Sequence, residues 1–182
     1  MAIWGTYETE AARILRKKAP IMQKMDEEYQ EPITIWWDMD GTLVDLYAVD
    51  DWLPKLRAED PSPYEEAKVM WNMSQLARLM NRVQSKGYRL GIVSWTSKNG
   101  SPEYNEAVRL TKLKSLKVHL ASVKWNEIQI VEYGTPKSSM MQNKNDILFD
   151  DEEDNRKNWQ GQAFSPDEMF TILRKIDRGD FE

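Results

Sequence analysis

The chain has 182 residues, 25 Lys+Arg against 30 Asp+Glu for a formal net charge of −5, one His and no Cys. That length suits one domain with room for a small insertion, able to bury on the order of two-thirds of its unfolded surface. The absence of Cys excludes disulfides, thiolate metal sites and thiol nucleophiles. A lone His119 excludes two-histidine metal sites, and without a GxSxG elbow it argues against a Ser-His-Asp triad. Carboxylate, hydroxyl and ammonium chemistry remains.

Glu8 to Ala19 reads as an amphipathic helix, and Pro20 and Pro32 mark the connection that follows it. Residues 1–32 are thus expected to form an N-terminal helical extension to a domain over 33–182. Ile33 to Trp37 is a short continuous run of β-branched and aromatic residues, the pattern of a strand buried on both faces of a parallel sheet. Trp36 and Trp37 are expected in the core. Val49, Trp52, Leu53 and Leu56 have helical spacing, and Val69, Met73, Leu76, Met80 and Val83 extend it along a helix over 65–86 closed by Gly87. Arg89 to Val93 gives a second strand and Pro102 to Leu116 a further helix. Within it, Lys112, Lys114 and Lys117 form a basic stretch, after which His119 reads as structural or exposed. Glu127 to Val131, Asp146 to Phe149 and Gln162 to Phe164 give three more strands. Ser165-Pro166-Asp167-Glu168 places an N-cap, a Pro at the first turn and a capping Glu before a last helix over 170–176. Strands alternating with helices predict an α/β fold with a mainly parallel central sheet, in which chemistry collects beyond the carboxyl ends of the strands.

The residues after those strands are Asp38-Met39-Asp40-Gly41-Thr42, Ser94-Trp95-Thr96-Ser97, Tyr133 to Ser138 with Lys137, and Asp150-Asp151. Asp38 and Asp40, two apart on an extended segment, point to one side. Two carboxylates ending an apolar strand cost too much to be idle. Four converging carboxylates require a cation or protonation, and an all-oxygen set suits Mg²⁺. Ser94 and Lys137 could hold the remaining oxygens of a phosphoryl group. The run Glu152 to Asp154 reads as a solvated loop.

This order of motifs resembles the haloacid dehalogenase (HAD) superfamily, over roughly Ile33 to Ile176. Its members carry DxDGT after the first strand, Ser or Thr after the second, a Lys before the fourth and paired acids after the fourth. The resemblance implies a HAD-like Rossmannoid three-layer sandwich, with a small helical cap at about 46–73 inserted after the first strand. It also implies an aspartyl-phosphate mechanism. Asp38 would be the nucleophile and Asp40 the general acid and base. Mg²⁺ would be held by Asp38, the Asp40 backbone carbonyl and Asp151, with Asp150 and Asn155 supporting its waters. Ser94, Trp95 and Lys137 would bind phosphate. Lys144 rivals Lys137, which is favoured because Pro136 sets it at the start of a short helix.

The cap carries Tyr47, Trp52, Tyr64 and Trp71, faces on which a base could stack, although packing within the cap would explain them equally. The cap and the run Asp146 to Asp151 loosely resemble the 5'(3')-deoxyribonucleotidase branch. The expected activity is hydrolysis of a small phosphate ester such as a (deoxy)nucleoside monophosphate. Two alternatives are a polynucleotide 3'-phosphatase, which the net charge disfavours, and a catalytically silent HAD-like binding scaffold. Long nucleic acid is not an expected partner. No apolar run approaches the roughly 18 residues of a membrane span, and the N-terminus lacks the apolar stretch of a signal peptide, so a cytoplasmic protein is expected.

Overall fold

Strand β1 (Thr34–Trp37) exposes no surface at all, and the rest of the domain is arranged around it. A computed structural model describes Ile14 and residues 31–181. Apart from Ile14, the helix expected over Glu8–Ala19 and most of the connection after it lie outside the described residues. The chain divides into two units at the Glu31–Pro32 boundary, and the elements below belong to the second.

After β1 come the two-residue strand β2 (Val44–Asp45), short helices α1 (Trp52–Arg57) and α2 (Ser62–Glu66), and strand β3 (Lys68–Val69). Helix α3 (Met73–Ser85), strand β4 (Arg89–Trp95), helix α4 (Pro102–His119) and strand β5 (Glu127–Val131) follow. A 3-10 turn (Lys137–Met140) leads to strand β6 (Ile147–Phe149), helix α5 (Glu153–Asn158) and strand β7 (Gln162–Phe164). A second 3-10 turn (Pro166–Glu168) opens helix α6 (Met169–Arg178), and Ser165 with Glu168 forms the expected capping box. Among the described residues, no helix is long and apolar enough to cross a membrane.

The sheet has the order β5-β4-β1-β6-β7, and every pairing in it is parallel. Side chains of the three central strands alternate across it. Ile35, Trp37, Leu90, Ile92, Ile147 and Phe149 face one layer with Leu76 and Met80 of α3, Leu116 and Leu120 in and after α4, and Leu173 of α6. Trp36, Val93 and Leu148 face the thinner opposite layer, with Trp159 and the partly buried Met140 and Met141. Burial on both sides explains why these strands read as unbroken apolar runs. Gly91 serves this packing directly, because a Cβ there would lie 2.5 Å from Cε3 of Trp36.

Two expectations about elements need correction. The helix expected over 65–86 is broken. Ala67 leaves the helical region (φ −55°, ψ 124°), and Lys68–Val69 pairs antiparallel with Val44–Asp45. Helix α3 then starts afresh at Asn72, whose side chain accepts from the Gln75 N–H at 3.0 Å. The second strand also runs further than Val93, because its pairing with β5 continues to Trp95↔Val131, so Ser94 lies within the strand.

Below the site, Asp146 is fully buried at the start of β6. Its carboxylate accepts from the Thr34 N–H at 2.7 Å, the Trp36 indole at 3.2 Å, and the Gln142 and Asn143 N–H groups at 3.0 and 3.3 Å. This acid ties the N-terminal ends of β1 and β6 together.

Candidate active site

The chain leaves β1 for β4 on one side and later returns to β6 on the other. The carboxyl end of β1 is therefore the point where strand order reverses, the place where α/β sheets bind ligands. Register Trp37↔Phe149 makes Asp38 and Asp150 the next residues of neighbouring strands, and the Asp38 N–H donates to Phe149 O at 2.9 Å. Asp151 follows at the edge of a cleft of about 480 Å³, which Asp38, Asp40, Trp95, Thr96 and Lys137 also line.

Gly41 makes the turn after Asp40. Its φ is +72°, and a Cβ there would stand 2.4 Å from Asp151 Oδ2 and 2.8 Å from the Tyr47 ring. Only glycine lets the β1 loop pass so close to Asp151. Thr42 Oγ1 accepts the Asp151 N–H at 3.1 Å, and Arg156 donates to the carbonyls of Asp150 and Asp151, both at 2.7 Å. The acidic pair is thereby held from both sides.

Lys137 is almost wholly buried and bridges Asp38 Oδ1 at 2.9 Å and Asp150 Oδ2 at 2.7 Å, with its ammonium 4.7 Å from the Trp95 ring centre. Burial opposes its charge, but Asp38 and Asp150 outweigh burial and hold its pKa above the usual lysine value. Lys144, the rival, is exposed. Burial first, and then the Asp38 charge, push Asp150 up to about 6 and Asp151 up to about 7. Burial likewise raises Asp40, against the opposing pull of Lys112.

Asp38, Asp150 and Asp151 each offer a carboxylate oxygen within 4.8 Å of the others. Asp150 is already committed, to Lys137, the Glu152 N–H and Asn155 Nδ2. Asp151 Oδ1 is buried with no hydrogen-bond partner among the described residues. An all-carboxylate set with one unsatisfied oxygen fits a hard cation such as Mg²⁺. Asp40 is outside this trio, its side chain turned to Lys112.

Lys112 went unassigned in the sequence. It is 2% exposed and donates to Asp40 Oδ2 at 2.6 Å, Ser94 Oγ at 2.9 Å and Trp95 O at 2.6 Å. Its signal was there to read: Tyr104, Val108, Lys112 and Leu116 form one buried stripe at four-residue spacing. A lysine inside such a stripe needs a buried partner, whereas Lys114 and Lys117 are exposed.

Among solved structures, the chain is similar to a D,D-heptose 1,7-bisphosphate phosphatase from Burkholderia thailandensis, at 12% identity and a TM-score of 0.42, over 69% of this chain and 70% of that one. No family model and no curated protein matches it.

Asp38, Asp40, Ser94, Lys137, Asp150 and Asp151 thus all lie together at the carboxyl edge of the sheet. Trp95 enters differently from expectation, because its indole N–H is spent on Thr135 O at 2.8 Å and only its ring face is left for the cleft. Thr96 Oγ1 is buried with no partner among the described residues, which adds a second hydroxyl beside the acids. Of the cap aromatics, Tyr47, Trp52 and Tyr64 line the cleft, whereas Trp71 donates to Thr42 O and packs on Phe170. Glu152 lines the cleft rather than a solvated loop, and His119 is exposed.

Proposed function

We propose that the protein is a Mg²⁺-dependent phosphomonoesterase acting on a small phosphate ester through an aspartyl-phosphate intermediate, as its motifs' resemblance to the HAD superfamily implies. One observation carries this reading: Asp38 and Asp40 leaving β1, Asp151 leaving β6 and Lys137 line a single cleft, with Asp150 paired to Lys137 and Lys112 paired to Asp40 behind them.

Asp38, held by Lys137, attacks phosphorus. The ester oxygen leaves with the proton of Asp40, whose burial favours the protonated form needed by an acid. Asp40, now a carboxylate, takes a proton from water as that water attacks the phosphoaspartate. Asp38 and inorganic phosphate are released. Lys137 and the Ser94 hydroxyl supply fixed donors for the phosphoryl oxygens, which is most of what such transfers need. Asp38 and Asp151, with the Asp40 carbonyl, would hold Mg²⁺, whose charge would offset that of the phosphoryl group.

On the substrate side, Tyr47 and Trp52 meet edge to face at 5.1 Å, and Trp95 and Tyr133 lie 4.9 Å apart. Aromatic faces in a cleft of about 480 Å³ suit one nucleobase and its sugar, so a (deoxy)nucleoside monophosphate is the proposed substrate. The test is phosphate release from nucleotides, sugar phosphates and 3'-phosphorylated oligonucleotides, with and without Mg²⁺. Turnover of mononucleotides that needs Mg²⁺ and disappears in Asp38→Asn is the expected result. Activity that survives Asp38→Asn or metal removal refutes the mechanism. A strong preference for oligonucleotides refutes the substrate.

A further inference from the structure

Lys112 Nζ has three N–H groups and three acceptors, Asp40 Oδ2, Ser94 Oγ and Trp95 O, so no donor is left for a substrate. The Tyr64 ring, 5.4 Å away, covers another side of the ammonium. This lysine is therefore placed to act on its neighbours and not on phosphate.

Both neighbours are constrained in a useful direction. Asp40 has one oxygen occupied by Lys112, while Oδ1 is buried with no partner among the described residues. Ser94 Oγ accepts from the ammonium, so its own proton points elsewhere and the hydroxyl enters the site as a donor. We propose that Lys112 is a positioning residue that locks Asp40 with Oδ1 as its proton-transferring oxygen and commits Ser94 to donate to the phosphoryl group. This rests on the phosphatase reading above and adds to it a residue from α4, outside the four strand-end motifs. The backbone bond to Trp95 O anchors the lysine to β4, so the acid of β1 and the hydroxyl of β4 are set by one rigid contact.

The test uses the full chain and a graded series of phosphate monoesters, from nitrophenyl phosphate to alkyl phosphates, read as kcat/KM. A nitrophenolate leaves without a proton, whereas an alkoxide needs one, and a placed general acid contributes about 10²–10⁴-fold. Lys112→Met is expected to lose about 10-fold or less on the nitrophenyl ester and about 10²-fold or more on alkyl esters. Lys112→Gln, which keeps a donor for Asp40, is expected to fall between wild type and Lys112→Met, and it serves alone if the Met variant does not fold. In an Asp40→Asn background, Lys112→Met should add no further leaving-group dependence, since both substitutions disable the same acid. A uniform loss across the series, or no loss, overturns the proposal while the phosphatase reading stands. A wild-type protein inactive on the whole series overturns both.

Discussion

Gly41→Ala separates the site from the fold. At φ +72° an alanine costs about 1–2 kcal/mol over glycine, and for a chain of this size each kcal/mol lowers Tm by roughly 2–4 °C, so the variant should fold and melt a few degrees early. The local effect is larger. The new Cβ would start 2.4 Å from Asp151 Oδ2, and ordinary contact begins at 3.4 Å, so the carboxylate must retreat by about 1 Å. Displacement on that scale costs on the order of 10²-fold in a positioned site, here taken as a 100-fold weaker Mg²⁺ affinity. At a Mg²⁺ concentration 100 times the wild-type Kd, the ion should stabilise wild type by about 2.7 kcal/mol and the variant by only about 0.4 kcal/mol. Thermal melts with and without Mg²⁺ read this difference directly, as a rise of roughly 5–11 °C against about 1 °C. An equal rise in both proteins would show that Asp151 does not hold the ion and refute the reasoning.

Two further outcomes probe the remaining carboxylates. Asp146→Ala strips the acceptor from four donors, two of them buried on β1, and should cost about 3–5 kcal/mol in urea unfolding while the Mg²⁺-induced shift persists; loss of that shift would tie Asp146 to the site. Without metal, the raised pKa values of Asp40, Asp150 and Asp151 mean that the folded state holds more protons than the unfolded one between about pH 4 and 7. Stability of the metal-free protein should therefore fall as pH rises through that window, and saturating Mg²⁺ should flatten the trend. A metal-free protein that instead gains stability from pH 4 to 7 contradicts the assignment.

The centre of the sheet was legible because β1, β4 and β6 are buried on both faces, which leaves no polar alternation to confuse with a helix or an edge. Asp38, Asp40, Asp150 and Asp151 were legible because each stands where an apolar run stops. The break at Ala67 was not, because two-residue strands such as Lys68–Val69 carry no periodicity, and the helical spacing of Val69 and Met73 runs across them. Asn72, the residue type that caps helices, was the local sign of a new start. Lys112 was hidden for a different reason. Three lysines in six residues look like one solvated face, and only their phase against Tyr104, Val108 and Leu116 shows that one of them turns inward.

That inward lysine changes the electrostatic account of the cleft. Four carboxylates, Asp38, Asp40, Asp150 and Asp151, meet two ammonium groups, Lys112 and Lys137, leaving two formal negative charges. Each ammonium is spent differently. Lys137 lies between the Asp38 and Asp150 carboxylates, while Lys112 neutralises Asp40. Neither has an oxygen of Asp151 within bonding distance, and Asp151 is the acid raised to about 7; like Asp40, it has a buried oxygen with no partner among the described residues. Protons can relieve that residue only at acid pH. A divalent cation would relieve it at neutral pH and above, since its two charges equal the deficit, and it would do so beside Asp38, where a phosphoryl group would be transferred. The net charge of −5 for the whole chain conveys none of this, because the decisive balance involves six side chains: those just after β1 and β6, one on α4 and one in the turn before β6.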